Sequence, residues 1–120
     1  MHAWASALPW TVVVLATAVA SVHAEPAAPS QERQRALVRM VRQDCGSCHG
    51  MRLTGGLGPA LTREALADKP QASLAATIFH GRPGTPMPPW KAMLTEDEAQ
   101  WIAMQLRAGL PAESPEEVRR

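Results

Sequence analysis

Tyrosine is absent from this 120-residue chain and phenylalanine occurs once, so aromatics make up only 4% of it. Trp4 and Trp10 lie near the amino terminus, which leaves Phe79, Trp90 and Trp101 to build an interior. So small a set rarely closes a stable core unaided, and something other than side chains is expected to fill it. Charge is missing from the start of the chain, where no Asp, Glu, Lys or Arg precedes Glu25. Neither sign is in excess: 12 basic residues face 11 acidic ones, for a formal charge of +1. That balance excludes the broad positive field of a nucleic-acid binder. No segment alternates apolar and polar residues with period two, and no internal repeat occurs, so the expected class is all-α with long loops.

What is present begins with an uncharged apolar run, Leu8 to Ala20, followed by Val22-His23-Ala24, a small-x-small pattern that signal peptidases accept. Residues 1–24 therefore read as an export signal, cleaved after Ala24, with the periplasm as destination. The amino-terminal flank offers His2 and no Lys or Arg, so an uncleaved anchor is the alternative. The run falls short of the ~20 residues a spanning helix needs, and Pro9 interrupts its start. Both facts favour removal, with no stable membrane insertion afterwards. Residues 25–32 then form a linker, 33–109 the folded domain and 110–120 a polar, proline-broken, flexible tail.

Within the domain, Leu37, Met40, Val41, Asp44 and Cys45 recur at spacings of three and four, which predicts a first helix running into the cysteines. Arg35, Arg39 and Arg42 share its opposite stripe. Five glycines and prolines in the stretch 50–59 (Gly50, Gly55, Gly56, Gly58, Pro59) oppose regular structure but allow close backbone approach. Thr62 can cap a short turn through Leu66, and Pro70 suits the first turn of a helix that Gly81 ends. A closing helix starts at Thr95, three residues before Glu98, and carries Ala99, Ile102, Ala103 and Leu106 on one stripe until Gly109. Met40 and Met104 are expected in the core.

The two cysteines occur together as Cys45-Gly46-Ser47-Cys48-His49, the signature of covalent haem attachment. Residues three apart on a helical turn point the same way, so both sulfurs can reach the vinyl groups on one side of a porphyrin. The following residue brings an imidazole beneath the iron, making His49 the first axial ligand. Three other readings compete. A dithiol redox site normally follows a strand, and none precedes Cys45. A structural zinc site would have to recruit His49 and the distant His80 beside two cysteines. A plain disulfide explains export but neither the adjacent histidine nor the glycine loop.

The second iron ligand is sought among Met87, Met51, Met93, Met40, Met104 and His80. Met87, in Thr85-Pro86-Met87-Pro88-Pro89, presents a soft thioether on a loop stiffened by prolines on both sides. His80 is the rival, since bis-histidine ligation is common, although at a helix end it also reads as a capping cation. Imidazole plus thioether would leave no open coordination site, which suits electron relay and disfavours chemistry on bound oxygen. Phe79 and Trp90 are expected to pack on the haem or on the Met87 loop.

The order helix, CxxCH, glycine loop with Gly58-Pro59 and Leu61, middle helix, proline-flanked Met87 and capped closing helix resembles class I cytochromes c over residues 33–108. The resemblance implies their small all-α fold, three to five helices and long loops wrapped around one haem c. It also implies that the carbonyl of Pro59 accepts the proton of His49, orienting the proximal ligand. Gln105 departs from the family, where an aromatic residue commonly meets the first helix. A narrower resemblance, carried by QDCGSCHGMRLTGGLGPAL and GRPGTPMPPW, is to the NirC-type cytochromes associated with the haem cd nitrite reductase. It implies a monomeric, non-enzymatic electron carrier of denitrification with redox protein partners, nitrite reductase among them. The alternatives are a redox factor in maturation of haem d, or an open-site haem enzyme. Arg33, Arg35, Arg39, Arg42 and Arg52, around the cysteines, are expected to steer an acidic partner.

Overall fold

The computed structural model describes residues 27–111 and residue 119; the expected signal, residues 1–24, lies outside them, as does most of the expected tail. Helix α1 (Gln31–Met40) starts where Ser30 accepts a hydrogen bond from the backbone N–H of Arg33 at 3.3 Å. It begins two residues earlier than expected, inside the stretch 25–32, because Ser30 is a better cap than anything at position 32. The helix continues without a break through a π turn (Val41–Cys45) into α2 (Gly46–His49), so the pentapeptide is the end of one long helical run. A π turn adds a residue to one turn and is frequent at functional sites.

Helix α3 (Gln71–His80) has Pro70 as its N-cap, one position before the first turn, and its last turn closes where Gly81, at φ +69°, donates to Thr77. Helix α4 (Glu96–Ala108) carries the reciprocal capping pair: Thr95 Oγ1 accepts from Glu98 N–H at 3.1 Å, and Glu98 Oε2 accepts from Thr95 N–H at 3.0 Å. Thr62 organises irregular turns through Leu66 in place of a helix, its hydroxyl accepting from Ala65 N–H at 3.3 Å. Among the described residues there is no strand, as the patterning required.

The core joins Leu37 and Val41 of the first helical run to Leu53 and Leu66 of the loops and to Leu94, Trp101, Ile102 and Leu106 around α4. Each such side chain contributes about 1.5–3 kcal/mol on burial. A second cluster of small residues, Ala75, Ala99 and Ala103, lets α3 lie close along α4. Met104 corrects its expectation, being 41% exposed. At 100° per residue it lies on the far side of α4 from the stripe Ala99, Ile102, Ala103, Leu106. Met40 packs half-buried against the core.

One side-chain clamp ties the start of α1 to the start of α4. Arg33 donates through Nε to Glu98 Oε1 at 2.6 Å and through Nη2 to Glu98 Oε2 at 3.1 Å, and also to the carbonyl of Met93 at 3.2 Å. The guanidinium holds the Glu98 carboxyl below its usual range, with the cap bond from Thr95 adding to the effect. A lowered folded-state pKa means the stabilisation is present above the usual carboxylate range and lost as pH falls through the folded value. Glu98→Gln is therefore expected to lower the melting temperature by several degrees near neutrality, for a loss of about 1 kcal/mol. The gap from wild type should narrow as pH falls below the usual carboxylate value of ~4.3 and close only below the lowered folded-state value. Parallel thermal melts against pH check it, and a gap that persists in acid would remove the ionic part of the clamp.

Candidate haem site

Cys45 is the last residue of the π turn, and Cys48 and His49 close α2, so the three donors share one helix end. Both thiols are free and half-buried. Ser47 points its hydroxyl back to the carbonyl of Asp44 at 2.7 Å, which keeps it out of the cysteines' way. Burial, helped by the neighbouring Asp44 charge, pushes the Cys45 thiol up to about 11. A thiol raised in this way is a poor nucleophile at neutral pH, the opposite of what a dithiol redox site needs. Among the described residues no cluster of three or more His, Cys, Asp or Glu could hold a metal ion, which removes the structural zinc reading there.

The end of α2 would leave its last carbonyls without partners, and the glycine loop supplies them. Gly58 N–H donates to the carbonyl of Cys48 and Gly55 N–H to that of His49, both at 2.8 Å. The loop can approach so closely only where side chains are missing: a Cβ on Gly58 would lie 2.6 Å from the His49 ring, and one on Gly56 would lie 2.7 Å from the Cys48 carbonyl oxygen. Leu53 sits in the left-handed region at φ +59°, a conformation uncommon for leucine, and is held there by burial in the core and by Leu61 N–H donating to its carbonyl at 2.8 Å. The sequence carried no signal for that geometry.

His49 is buried, and its Nδ1 lies 2.7 Å from the carbonyl oxygen of Pro59. A carbonyl only accepts, so Nδ1 carries a proton and donates, and in the neutral ring Nε2 is then the nitrogen with the lone pair. The imidazole is thereby fixed in tautomer and in orientation, with the nitrogen a metal would use left available. Gly58→Ala is expected to push the ring off this acceptor. The check is NMR of the His49 Nδ1 proton, whose hydrogen-bonded resonance should be lost along with at least about 1 kcal/mol of stability; an unmoved resonance would mean the loop yields instead.

Met87 is half-buried in the loop between α3 and α4. Its carbonyl accepts from Arg82 N–H at 3.1 Å, its own N–H donates to Thr85 Oγ1 at 3.3 Å, and beyond it Trp90 N–H and Lys91 N–H donate to Ile78 and Phe79 of α3, each at 3.2 Å. The loop is thus closed on itself around the methionine and sewn to the end of α3 just beyond it. Trp90 packs half-buried on the main core and Phe79 on the alanine cluster. His80 is exposed in the last turn of α3, edge-on to Phe79 with ring centroids 5.0 Å apart. Met51 is 67% exposed and Met93 55% exposed.

These residues fit a covalently held haem by the chemistry of the donor set. Two thiols stand one turn apart, an imidazole beside them has Nδ1 engaged and can offer Nε2, and a loop glycine lies flat against that ring where a Cβ would collide. Cys45 and Cys48 could hold the porphyrin, His49 the iron, and Met87 could supply a second ligand.

The fold and this donor set define a c-type cytochrome. The chain belongs to the family described as cytochrome C oxidase, cbb3-type, subunit III, which residues 32–104 match. It is similar to cytochrome c55X of Stutzerimonas stutzeri, 60% identical over 85 residues that make up 71% of this chain and 75% of that one. Among solved structures it resembles a c-type cytochrome NirC, at 57% identity and a TM-score of 0.65, over 67% of this chain and 94% of that one. It also resembles part of the dihydro-heme d1 dehydrogenase NirN, at 34% identity and a TM-score of 0.55, over 66% of this chain but 18% of that one. The expected fold and the narrower resemblance both stand. No helix among the described residues is long and apolar enough to cross a membrane.

Proposed function

We propose that this chain is an exported, periplasmic single-electron carrier with one haem c, serving denitrification as an electron donor to nitrite reductase. Cys45 and Cys48 anchor the haem, and His49 and Met87 ligate the iron. When bound, the haem supplies a one-electron couple. The chain's part is to hold the ligands still: Pro59 fixes the His49 ring, and the bonds from Trp90 and Lys91 to α3 stiffen the loop that carries Met87. Fixed ligands change little between oxidation states, which suits fast exchange and uses no proton or substrate site.

The observation that carries the proposal is the Nδ1 contact of His49 with Pro59, because it prepares the other ring nitrogen for a metal. An absorption spectrum of the purified protein, with its alkaline pyridine derivative and the weak far-red band of methionine-ligated ferric haem, tests attachment and second ligand together. Residues 1–24 as signal, the stretch before Ser30 as linker and the residues beyond Pro111 as tail belong to the same proposal, while 31–32 and Leu110 join the folded domain; mass spectrometry of the exported protein tests the cleavage after Ala24.

A second reading has support from the resemblance to part of a dihydro-heme d1 dehydrogenase: a redox role in maturing the haem d of nitrite reductase. Deleting the gene separates the two. Normal cofactor content with lost electron supply favours the carrier, and missing haem d favours maturation. The arginines around the cysteines are partly engaged in the fold. Arg33 clamps Glu98 and Arg42 donates to the carbonyl of Pro111, while Arg35 and Arg52 are exposed. Steering of an acidic partner then rests chiefly on the latter two, and should appear as slower electron transfer at high ionic strength.

A further inference from the structure

A concavity of about 540 Å³ opens between the end of the first helical run, the glycine loop, the turns after Pro59 and the chain leaving α4. None of Cys45, Cys48, His49 and Met87 borders it. Its floor is apolar: Leu53 is buried, Leu61 half-buried, and the two are joined by the backbone bond at 2.8 Å. Three arginines, Arg42, Arg52 and Arg63, line it together with one acidic residue, Glu64. Like charges gathered on one small rim repel one another unless anions stand between them. Arg42 is engaged by the carbonyl of Pro111, but among the described residues Arg52 and Arg63 have no hydrogen-bond or ion-pair partner.

We propose that this arginine-rimmed concavity binds a small organic polycarboxylate. The guanidinium fork pairs with carboxylates through two parallel bonds, so separate arginines select an anion bearing more than one carboxylate. The leucine floor suits a carbon skeleton between those groups. The volume falls within the ~300–1,000 Å³ of small-molecule sites and exceeds what a bare inorganic anion fills. Thr62 also lines the site, with its hydroxyl oxygen accepting from Ala65 N–H and its proton free to donate to a ligand.

The test is titration of the full-length haem-loaded protein with citrate, followed by calorimetry and by amide NMR shifts. Saturable binding with shifts at Leu53, Leu61 and Leu110 is expected in the wild type, and Arg52→Gln/Arg63→Gln should weaken it at least about tenfold at unchanged haem spectrum. Because the shifts map the site in the unaltered protein, the proposal does not depend on the variant's folding. Absence of saturation, shifts elsewhere, or binding untouched by the double substitution overturns it. Inorganic phosphate binding as tightly as citrate overturns the polycarboxylate assignment. A chain with Glu113→Gln, Glu116→Gln and Glu117→Gln distinguishes the source of the carboxylates: if citrate binds that chain alone, the arginines serve the protein's own acidic residues and no free ligand.

Discussion

Replacing Cys45 and Cys48 together by serine is expected to give a colourless protein without a cooperative thermal transition. The interior explains the size of the effect. The described core rests on Leu37, Val41, Leu53, Leu66, Leu94, Trp101, Ile102 and Leu106, with Trp101 the one aromatic among them. Once the cost of ordering the chain is set against burial, a core of that extent rarely leaves more than about 3–5 kcal/mol of net stability, so a covalently tied porphyrin is expected to contribute a comparable share. The hydroxyls of the variant cannot form the thioether bonds, and the loop at Gly55–Gly58 would have only the His49 ring to lie on. Each single substitution should keep one bond and a coloured, less stable protein. Circular dichroism, the visible spectrum and a denaturing gel stained for haem check all three. A double variant that still melts cooperatively, with the same midpoint as the wild type, would show that the polypeptide makes its own core, and the premise about small domains would be wrong here.

Met87→Ala is expected to have the second largest effect, and it acts on the chemistry more than on the fold. If Met87 ligates the iron as proposed, losing its thioether would open a coordination position, so the reduced protein should bind carbon monoxide tightly, and the reduction potential should fall by something on the order of 100 mV. The far-red band should vanish. Met87→His should close the position again, blocking carbon monoxide while leaving the potential low. His80→Ala should change none of these properties, since that ring lies exposed against Phe79 at the end of α3. A Met87→Ala protein that kept its far-red band would place the ligand at another methionine, and Met51 would then be the first to substitute. The same measurements separate a carrier from an open-site haem enzyme, because the wild type should resist carbon monoxide.

Much of the frame was legible because it is written in interactions between residues three or four apart. Thr95 and Glu98 announce the start of α4 and cap it reciprocally; Gly81 and Gly109 announce helix ends and take the positive φ that ends them. The stripe Ala99, Ile102, Ala103, Leu106 is buried as its period requires. Met104 misled for a definable reason: hydrophobic type suggested the core, whereas its angle around the helix put it outside. The orientation of His49 by Pro59 could be expected only from family resemblance, because no local rule brings residues ten apart into contact.

The sequence by itself determined the helical class, the start of α4, the glycine ends of α3 and α4, and the juxtaposition of two thiols and an imidazole on one turn, since each is set by backbone propensity and short spacing. Only the tertiary structure decided that Arg33 would grip Glu98 across 65 residues, that Leu53 would adopt a left-handed conformation beneath the loop, and that arginines 42, 52 and 63 would share one concavity. Such contacts depend on the path of the loops through space, and that path follows from collective packing of a small core, not from any one residue's preference.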